Sequence, residues 1–284
     1  MDAREKYGIC VGGLKEYART AGFDHMLVGL SGGIDSSLTA AMCVDAFGAD
    51  HVHGVLLPGP YSSDHSVTDA LELAERLGVE TRTVSICGPY EAFQQALDGQ
   101  LSGLAAENTQ ARCRMVVLMA LSNQNGWMLV NTGNKTEAYM GYSTLYGDTA
   151  GAFAPLGCLY KTDVFALSRW RNDVTREDGC VPPIPEHVLI KPPSAELSPG
   201  QEDEKSMGLP YAVMDRILMG YYEHGLSPEQ IAGDDLGLDV VKGVIRRAQG
   251  YAFKRAMEPP VPQSKIYSRL RFPFSRFPCG PPDD

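Results

Sequence analysis

His25–Leu30 reads HMLVGL and runs straight into Ser31–Ser37, SGGIDSS, which opens a second apolar stretch, Leu38–Phe47, LTAAMCVDAF. A short apolar run bounded by glycine is the pattern of a β-strand buried on both faces. The stretch after the serines is closed by Gly48 and reads as a helix. Two adjacent glycines, Gly32 and Gly33, let the backbone turn sharply and aim consecutive N–H groups at a ligand. The helix N-terminus adds unpaired donors and a partial positive charge, so the turn suits a phosphate group. Ser31, Ser36 and Ser37 add hydroxyls. Asp35 is the odd member, because a carboxylate beside phosphates repels them unless a cation lies between. Mg2+ on Asp35 resolves that conflict. The loop has neither the GK[ST] ending of a Walker A loop nor a GxGxxG pattern.

Outward from this turn the cycle repeats. Tyr7–Ala21 is amphipathic, with Val11, Leu14, Tyr17 and Ala18 on one face and Gly22 just beyond. His51–Leu57 (HVHGVLL) predicts a second strand, and a helix from about Ser66 carries Val67, Ala70, Leu71, Ala74 and Leu77 at helical spacing before Gly78. Glu80–Ile86 predicts a third strand, Tyr90–Asn123 helical segments, and Trp127–Asn131 (WMLVN) a fourth strand. This alternation predicts an α/β fold, a doubly wound parallel sheet whose ligands bind outside the carboxyl ends of the strands. Gly179–Gly200 holds six prolines in 22 residues and predicts a shaped loop rather than a regular element. Leu209–His224 and Pro228–Arg255 read as helices ahead of a Pro- and Arg-rich tail. The economical division is one domain over 1–284: a sheet core over about 1–178, the Pro-rich loop at 179–206, and a helical appendage with a basic tail at 207–284.

At 284 residues, with 44% apolar and 21% charged, the chain can bury a sizeable core, and disordered, collagen-like and coiled-coil readings fall away. The densest apolar run, Met115–Leu121, is far short of the roughly 20 residues that a membrane-spanning helix needs. The start, MDAREKYGIC, lacks the apolar core of a secretory signal, and a cytoplasmic home without membrane partners is expected. Seven scattered cysteines show no C-x-x-C spacing and are read as reduced packing thiols. His51 and His53 would share one strand face, but two imidazoles without a third ligand predict structural or solvated roles. A net charge of −10 argues against a nucleic-acid partner. The stretch Lys242–Arg276 nevertheless carries nine Lys/Arg against Glu258 alone, so this arm is expected to meet something anionic.

A second cluster follows the fourth strand. Asn131–Asp148 reads NTGNKTEAYMGYSTLYGD and Ala150–Asn172 reads AGAFAPLGCLYKTDVFALSRWRN. Thr132-Gly133-Asn134-Lys135 ends the strand and Glu137 begins the next helix, which places Glu137 at the same sheet edge as Asp35. Two carboxylates there can hold Mg2+ against a triphosphate, and Lys161 can counter charge that develops as the α–β phosphate bond breaks.

SGGIDS is similar to the pyrophosphate loop of the N-type ATP pyrophosphatases, which activate a carboxylate or related oxygen by adenylation. The wider set of motifs resembles NAD synthetase, in particular the synthetase part of the glutamine-dependent type, from about Tyr7 to Lys265. The matching strings are YSS at Tyr61–Ser63, ENTQARCRM at Glu107–Met115, TGNKTE, GYSTLYGD, AGAFAPLG, PSAELSPGQEDE at Pro193–Glu204 and KRAMEPPVPQSKI at Lys254–Ile266. The resemblance implies an adenine nucleotide alpha hydrolase-like fold. It implies that Gly29, Leu30, Ser31, Gly32, Gly33, Ile34, Asp35 and Ser36 bind ATP with Thr132, Lys161 and Ser194, and that Asp35 and Glu137 bind Mg2+. It implies that Asn108, Arg112, Tyr142 and Lys254 contact nicotinic acid adenine dinucleotide, and that Asp35, Glu137 and Lys161 carry the chemistry. The reaction it implies is ATP-dependent amidation of that dinucleotide to NAD through an acyl-adenylate, releasing AMP and pyrophosphate, in a homodimer.

Three departures bear on this. Only 30 residues precede SGGIDSS, where glutamine-dependent relatives carry a glutaminase domain; free ammonia is the first expectation, with a separate glutaminase partner or an excised domain as alternatives. Cys158-Leu159 stands where relatives usually have an acidic residue, and a related amide synthetase acting on another carboxylic acid is the nearest alternative. The tail after Ile266 also drifts from the pattern.

Overall fold

A computed structural model describes residues 1–263, 266 and 267. Four parallel strands, β1 (Met26–Gly29), β2 (Val52–Leu56), β3 (Glu80–Thr83) and β4 (Met128–Leu129), lie in the order β3-β2-β1-β4. All four are shorter than the apolar runs that predict them. The flanks remain extended without full ladders: Leu30 N–H donates to Val55 O, Val84 N–H to Leu56 O and Val130 N–H to Leu27 O. Alternation along the strands feeds two layers of core. Met26, Val28, Val52, Leu56 and Met128 face a cluster shared with α1 (Ala3–Ala21), α2 (Ile34–Phe47), α3 (Asp64–Leu77) and α7 (Lys161–Glu177). Leu27, Val55 and Leu129 face the opposite cluster, covered by α4 (Cys87–Ala96) and α5 (Gly103–Asn125).

The first helix starts at Ala3, four residues ahead of the amphipathic pattern, because Asp2 and Glu5 form a capping box. Likewise α2 begins at Ile34 inside the SGGIDSS motif, with Gly33 as N-cap, so only Ser31–Gly33 forms the turn. The Tyr90–Asn123 stretch is two helices, broken where Asp98 and Gly99 take positive φ.

Beyond the sheet, α6 (Lys135–Met140) leads into the 141–149 loop and α7. The Pro-rich segment is not wholly irregular: between its prolines Glu186–Ile190 forms a single helical turn, α8, with Val188 and Leu189 buried. The appendage contains α9 (Asp203–Met207), α10 (Tyr211–Leu218) with a π-turn at Met219–Glu223, α11 (Pro228–Ala232), α12 (Leu238–Gly250) and α13 (Ala252–Arg255). The stretch Pro228–Arg255 is therefore three helices, divided at Gly233–Gly237 and at Tyr251. Its core is separate, built on Met214, Ile217, Val241 and Ile245 against Met140 of α6. The parts of the basic arm at 264–265 and 268–284, with Lys265 and the tail after Tyr267, lie outside the described residues.

No helix of the described residues is long and apolar enough to cross a membrane. Six cysteines, all but Cys279, fall within them and carry no disulfide. Cys158 Sγ sits 3.8 Å from Cys10 Sγ, and Leu159 is fully buried in the sheet-side core, so the pair that replaces the expected acidic residue packs inward. His51 and His53 do not share a strand face, because His51 ends a 3-10 turn. His53 stacks on Trp127 with ring centroids 3.6 Å apart and lies 3.0 Å from the third imidazole, His25.

Candidate active site

The sheet order reverses between β1 and β4, since the chain leaves β1 for β2 and β3 on one side and returns to β4 on the other. At such a switch point the two following turns diverge and leave a crevice. The turn after β1 carries Ser31–Gly33 and Asp35; the turn after β4 carries Thr132–Glu137.

Gly32 has φ +75 and lies against α3, where a Cβ would stand 2.2 Å from Ser66 O. Only glycine fits there, on both conformational and steric grounds. Ser36 Oγ meets Ser31 Oγ at 3.0 Å and donates to Gly33 O at 3.0 Å, and Ser37 Oγ donates to Gly33 O at 2.8 Å. The turn is thus held by its own hydroxyls, and no side chain caps α2.

Asn134 joins the two turns. Its Oδ1 accepts from Glu137 N–H at 3.0 Å, while Glu137 Oε2 accepts from Asn134 N–H at 3.3 Å, a reciprocal capping box for α6. The remaining Nδ2 donates to Asp35 Oδ1 at 2.8 Å. Lys161, in the first turn of α7 and 1% exposed, donates to Asp35 Oδ2 at 2.5 Å and to Glu137 Oε1 at 3.2 Å. A lysine at a helix N-terminus opposes the macrodipole, so carboxylates must hold it there. Burial lowers its pKa, but Asp35, Glu137 and Asp203 outweigh that and the ammonium stays charged. Burial raises the Glu137 carboxyl above its ordinary range; Lys161 opposes the rise, while Asp35 and Asp203 add to it.

Asp203 is a functional candidate that motif reading missed. It is 5% exposed, accepts from Tyr142 Oη and Tyr211 Oη at 3.1 Å each, and burial raises its pKa. Asp35 and Glu137 about one lysine leave a formal charge of −1, and their donors are hard oxygens, which fits a Mg2+ ion. Beneath this cluster, buried Asp215 of α10 accepts from Thr136 Oγ1 at 2.5 Å and from Thr162 N–H at 2.8 Å. Thr136 Oγ1 in turn accepts from Lys161 N–H at 2.9 Å. One carboxylate thereby braces the neighbours of both Glu137 and Lys161.

Beside the cluster opens a cleft of about 510 Å³, in the range of small-molecule sites. Gly29, Leu30, Ser31, Thr132 and Ser194 line it together with Asn108, Tyr142 and Lys254. Gly32 and Gly33 belong to the turn at its edge, Ile34 and Ser36 to the first turn of α2, and Ile34 packs in the core. Asn108 accepts from Thr144 Oγ1 at 2.7 Å. Arg112, one turn further along α5, is exposed, lies off the cleft lining and donates to Leu145 O at 3.2 Å. The arginine that does line the cleft is Arg114, whose Nε donates to Leu57 O at 3.0 Å. Lys254 Nζ donates to Gly141 O at 2.8 Å and Ser143 O at 2.5 Å, and burial lowers its pKa. Gly141 has φ +63, and a Cβ there would strike the Tyr251 ring at 2.1 Å. Near Lys254, burial and then Asp148 push the Glu258 carboxyl up to about 7.

The Pro-rich segment closes the rim. Ser194 Oγ donates to Gln201 O at 2.5 Å, and Glu196 accepts from Ser63 N–H at 3.1 Å, Ser63 Oγ at 2.6 Å and Ser66 Oγ at 2.8 Å. Glu196 takes φ +49, a conformation unusual for glutamate, which these three bonds hold in place.

The sequence pattern of the NAD synthase family matches residues 8–258. The chain belongs to that family. A relative described as the glutamine-dependent NAD(+) synthetase of Thermotoga maritima is 42% identical over 255 residues, covering 88% of this chain and 43% of that protein. The chain spans about half the length of the curated synthetases it matches. Among solved structures, the NMN synthetase from Francisella tularensis superposes with a TM-score of 0.73 at 30% identity, covering 88% of this chain and 96% of that one. The glutamine-dependent NAD+ synthetase from Acinetobacter baumannii, in complex with ADP, gives 0.64 at 38% identity over 95% of this chain and 48% of that one. The NH3-dependent NAD synthetase from Campylobacter jejuni gives 0.71 at 27% identity over 89% and 96%. The fold of this NAD synthase family member is accordingly the adenine nucleotide alpha hydrolase-like one.

Proposed function

We propose that the chain is a C–N bond-forming ligase that amidates nicotinic acid adenine dinucleotide to NAD, using ATP and ammonia. The observation that carries this is the Asp35–Lys161–Glu137 cluster at the sheet switch point, beside the cleft that Ser31, Thr132, Ser194, Asn108, Tyr142 and Lys254 line. Asp35 and Glu137 would hold Mg2+, whose charge would offset that of the triphosphate. Gly29–Ser36, Thr132 and Ser194 bind ATP, and the Ser31–Gly33 turn offers its N–H groups to the phosphates. With that charge between the carboxylates, Lys161 would no longer be needed to neutralise them, and its ammonium would serve the departing pyrophosphate.

In the first step a nicotinate carboxylate oxygen bonds to the α-phosphorus as the α–β bridging bond breaks, giving an acyl-adenylate and pyrophosphate. In the second, ammonia bonds to the acyl carbon, AMP leaves, and a proton is released. No side-chain nucleophile is required; the chain supplies position and charge. Lys254 and Asn108 approach the anionic dinucleotide and Tyr142 lies against its pyridine ring. Arg112 is exposed one turn from Val116, itself 59% exposed, on the outer face of α5. That face fits a homodimer in which the partner completes the dinucleotide site.

The test is incubation with ATP, Mg2+ and the dinucleotide, with ammonium salts and glutamine in parallel arms. Stoichiometric NAD and AMP with ammonium supports the reading, and no AMP-coupled NAD defeats it. Turnover with glutamine only after a glutaminase is added identifies the partner-fed arrangement. A further arm with the corresponding mononucleotide distinguishes the substrate from that of an NMN synthetase.

A further inference from the structure

The Pro-rich segment is fastened to α3 by a second polar cluster, whose His65 and His187 line a hollow that also takes in Ser31, Gly33 and Ser194. His65 and Asp69 stand one helical turn apart on α3, so their side chains leave the same face. His187, at the start of α8, closes on them, its Nδ1 2.9 Å from Asp69 Oδ2. The His65 and His187 rings meet edge to face with centroids 5.4 Å apart. One ligand atom from each of the three residues lies within 4.8 Å of the other two, and no other such group of His, Cys, Asp or Glu occurs among the described residues. Asp69 is buried at 4% exposure, whereas both imidazoles are exposed, so an ion can arrive from solvent onto the rings against a fixed carboxylate.

The carboxylate is held in place by a lysine. Lys191 donates to Asp69 Oδ2 at 2.7 Å and also reaches Ser66 Oγ at 3.2 Å. Ser63 Oγ lies 3.1 Å from His65 Nδ1, which orients that ring and leaves Nε2 for a ligand.

We propose that His65, Asp69 and His187 form a binding site for a divalent transition-metal ion of the Zn2+ or Co2+ type, which staples the Pro-rich segment to α3 at the rim of the cleft. Two imidazoles and one carboxylate are a donor set for borderline cations, whereas Mg2+ and Ca2+ favour all-oxygen sites. This ion is therefore chemically distinct from the one assigned to Asp35 and Glu137. Ligand atoms around a tetrahedral ion with bonds of about 2.1 Å sit about 3.4 Å apart. The present spacing, within 4.8 Å, must therefore tighten by up to about 1.4 Å when an ion binds, and both rings are exposed. Lys191 keeps its bond to Ser66 when the ion shares Asp69, so the ion and the ammonium compete only in part. The staple sits seven residues before Ser194 and nine before Glu196, and so fixes the approach of both to the turn after β1.

The experiment titrates the full chain with Co2+, followed by visible absorption, and with Zn2+, followed by calorimetry. Both are run in excess Mg2+ to fill the oxygen site. One ion per chain is expected. His65→Ala and His187→Ala should each weaken binding by about tenfold or more, while His53→Ala, in the separate His25–His53 pair, leaves it unchanged. Zn2+ should slow protease cleavage between residues 179 and 202 in the native chain and have no effect in His187→Ala. Both substituted histidines are exposed, so each variant is expected to fold, which the unchanged circular dichroism of each confirms. Binding that survives either substitution, an affinity no better than millimolar, or protection retained by His187→Ala would overturn the proposal.

Discussion

The two ends of the cleft are held in different ways. At the sheet edge, Asp35, Glu137 and Lys161 each sit in the first turn of a helix and are locked to one another by charge. At the far end, Lys254 and Arg247 come from the appendage and reach main-chain carbonyls of residues 140–143 instead. The chemical end is prebuilt from short motifs. The recognition end depends on one loop keeping its path against Tyr251. Breaking the first should abolish the reaction, and breaking the second should alter which ligand is held and how tightly.

The largest effect is expected from Asp35→Ala and Glu137→Ala, each lowering ATP–pyrophosphate exchange by about a thousandfold. Exchange within tenfold of the parent in both variants would contradict the metal assignment. Next come the glycines, one at each end. Gly32→Ala must place a Cβ against Ser66 O at positive φ, and Gly141→Ala must do the same against the Tyr251 ring. Each should cost about 3 kcal/mol in denaturant unfolding. Where the variants still fold, Gly32→Ala should impair ATP binding and Gly141→Ala dinucleotide binding; the reverse pattern would undo the contrast between the two ends.

A smaller change, Lys254→Ala, should weaken dinucleotide binding by about tenfold and ATP binding far less, measured by calorimetry. Equal losses would refute its proposed contact. The smallest concerns pH. Burial and Asp148 push Glu258 up to about 7, so it gains a proton as pH falls through that value. The surroundings of Lys254 then become more positive, and the anionic dinucleotide should bind about threefold more tightly at pH 6 than at pH 8. The same shift means that ionising Glu258 costs the fold stability as pH rises from the ordinary glutamate range through about 7. Glu258→Gln should flatten both dependences.

Legibility in the sequence follows the same division. SGGIDSS and NKTE were readable because each packs its chemistry into one turn whose backbone is set by neighbouring residues. Strand boundaries ran long because hydrophobic alternation continues past the last ladder bond, as at Leu30 and Val84. The helical stretch after Pro228 was over-extended because apolar spacing carries across Gly233–Gly237 even though the backbone turns there. Asp203, Glu196 and Arg114 escaped because their meaning lies in partners far away in the chain: Asp203 is defined by Tyr142, and Glu196 by Ser63 and Ser66. Arg112 and Arg114 are two apart on α5, and periodicity alone does not say which faces the cleft. The turn of helix at Glu186–Ile190 was hidden by flanking prolines, which bar helix within themselves but not between them.

Asp215 gives the appendage a larger part than cladding. Because its carboxylate grips Thr136 and Thr162, the residues beside Glu137 and Lys161, α10 acts as a foundation stone under the charged cluster. A cavity opened at Met214 or Ile217, both fully buried, would therefore register as slowed chemistry at temperatures where the sheet is still intact. Stability of the small helical core and speed at the switch point cannot be tuned apart.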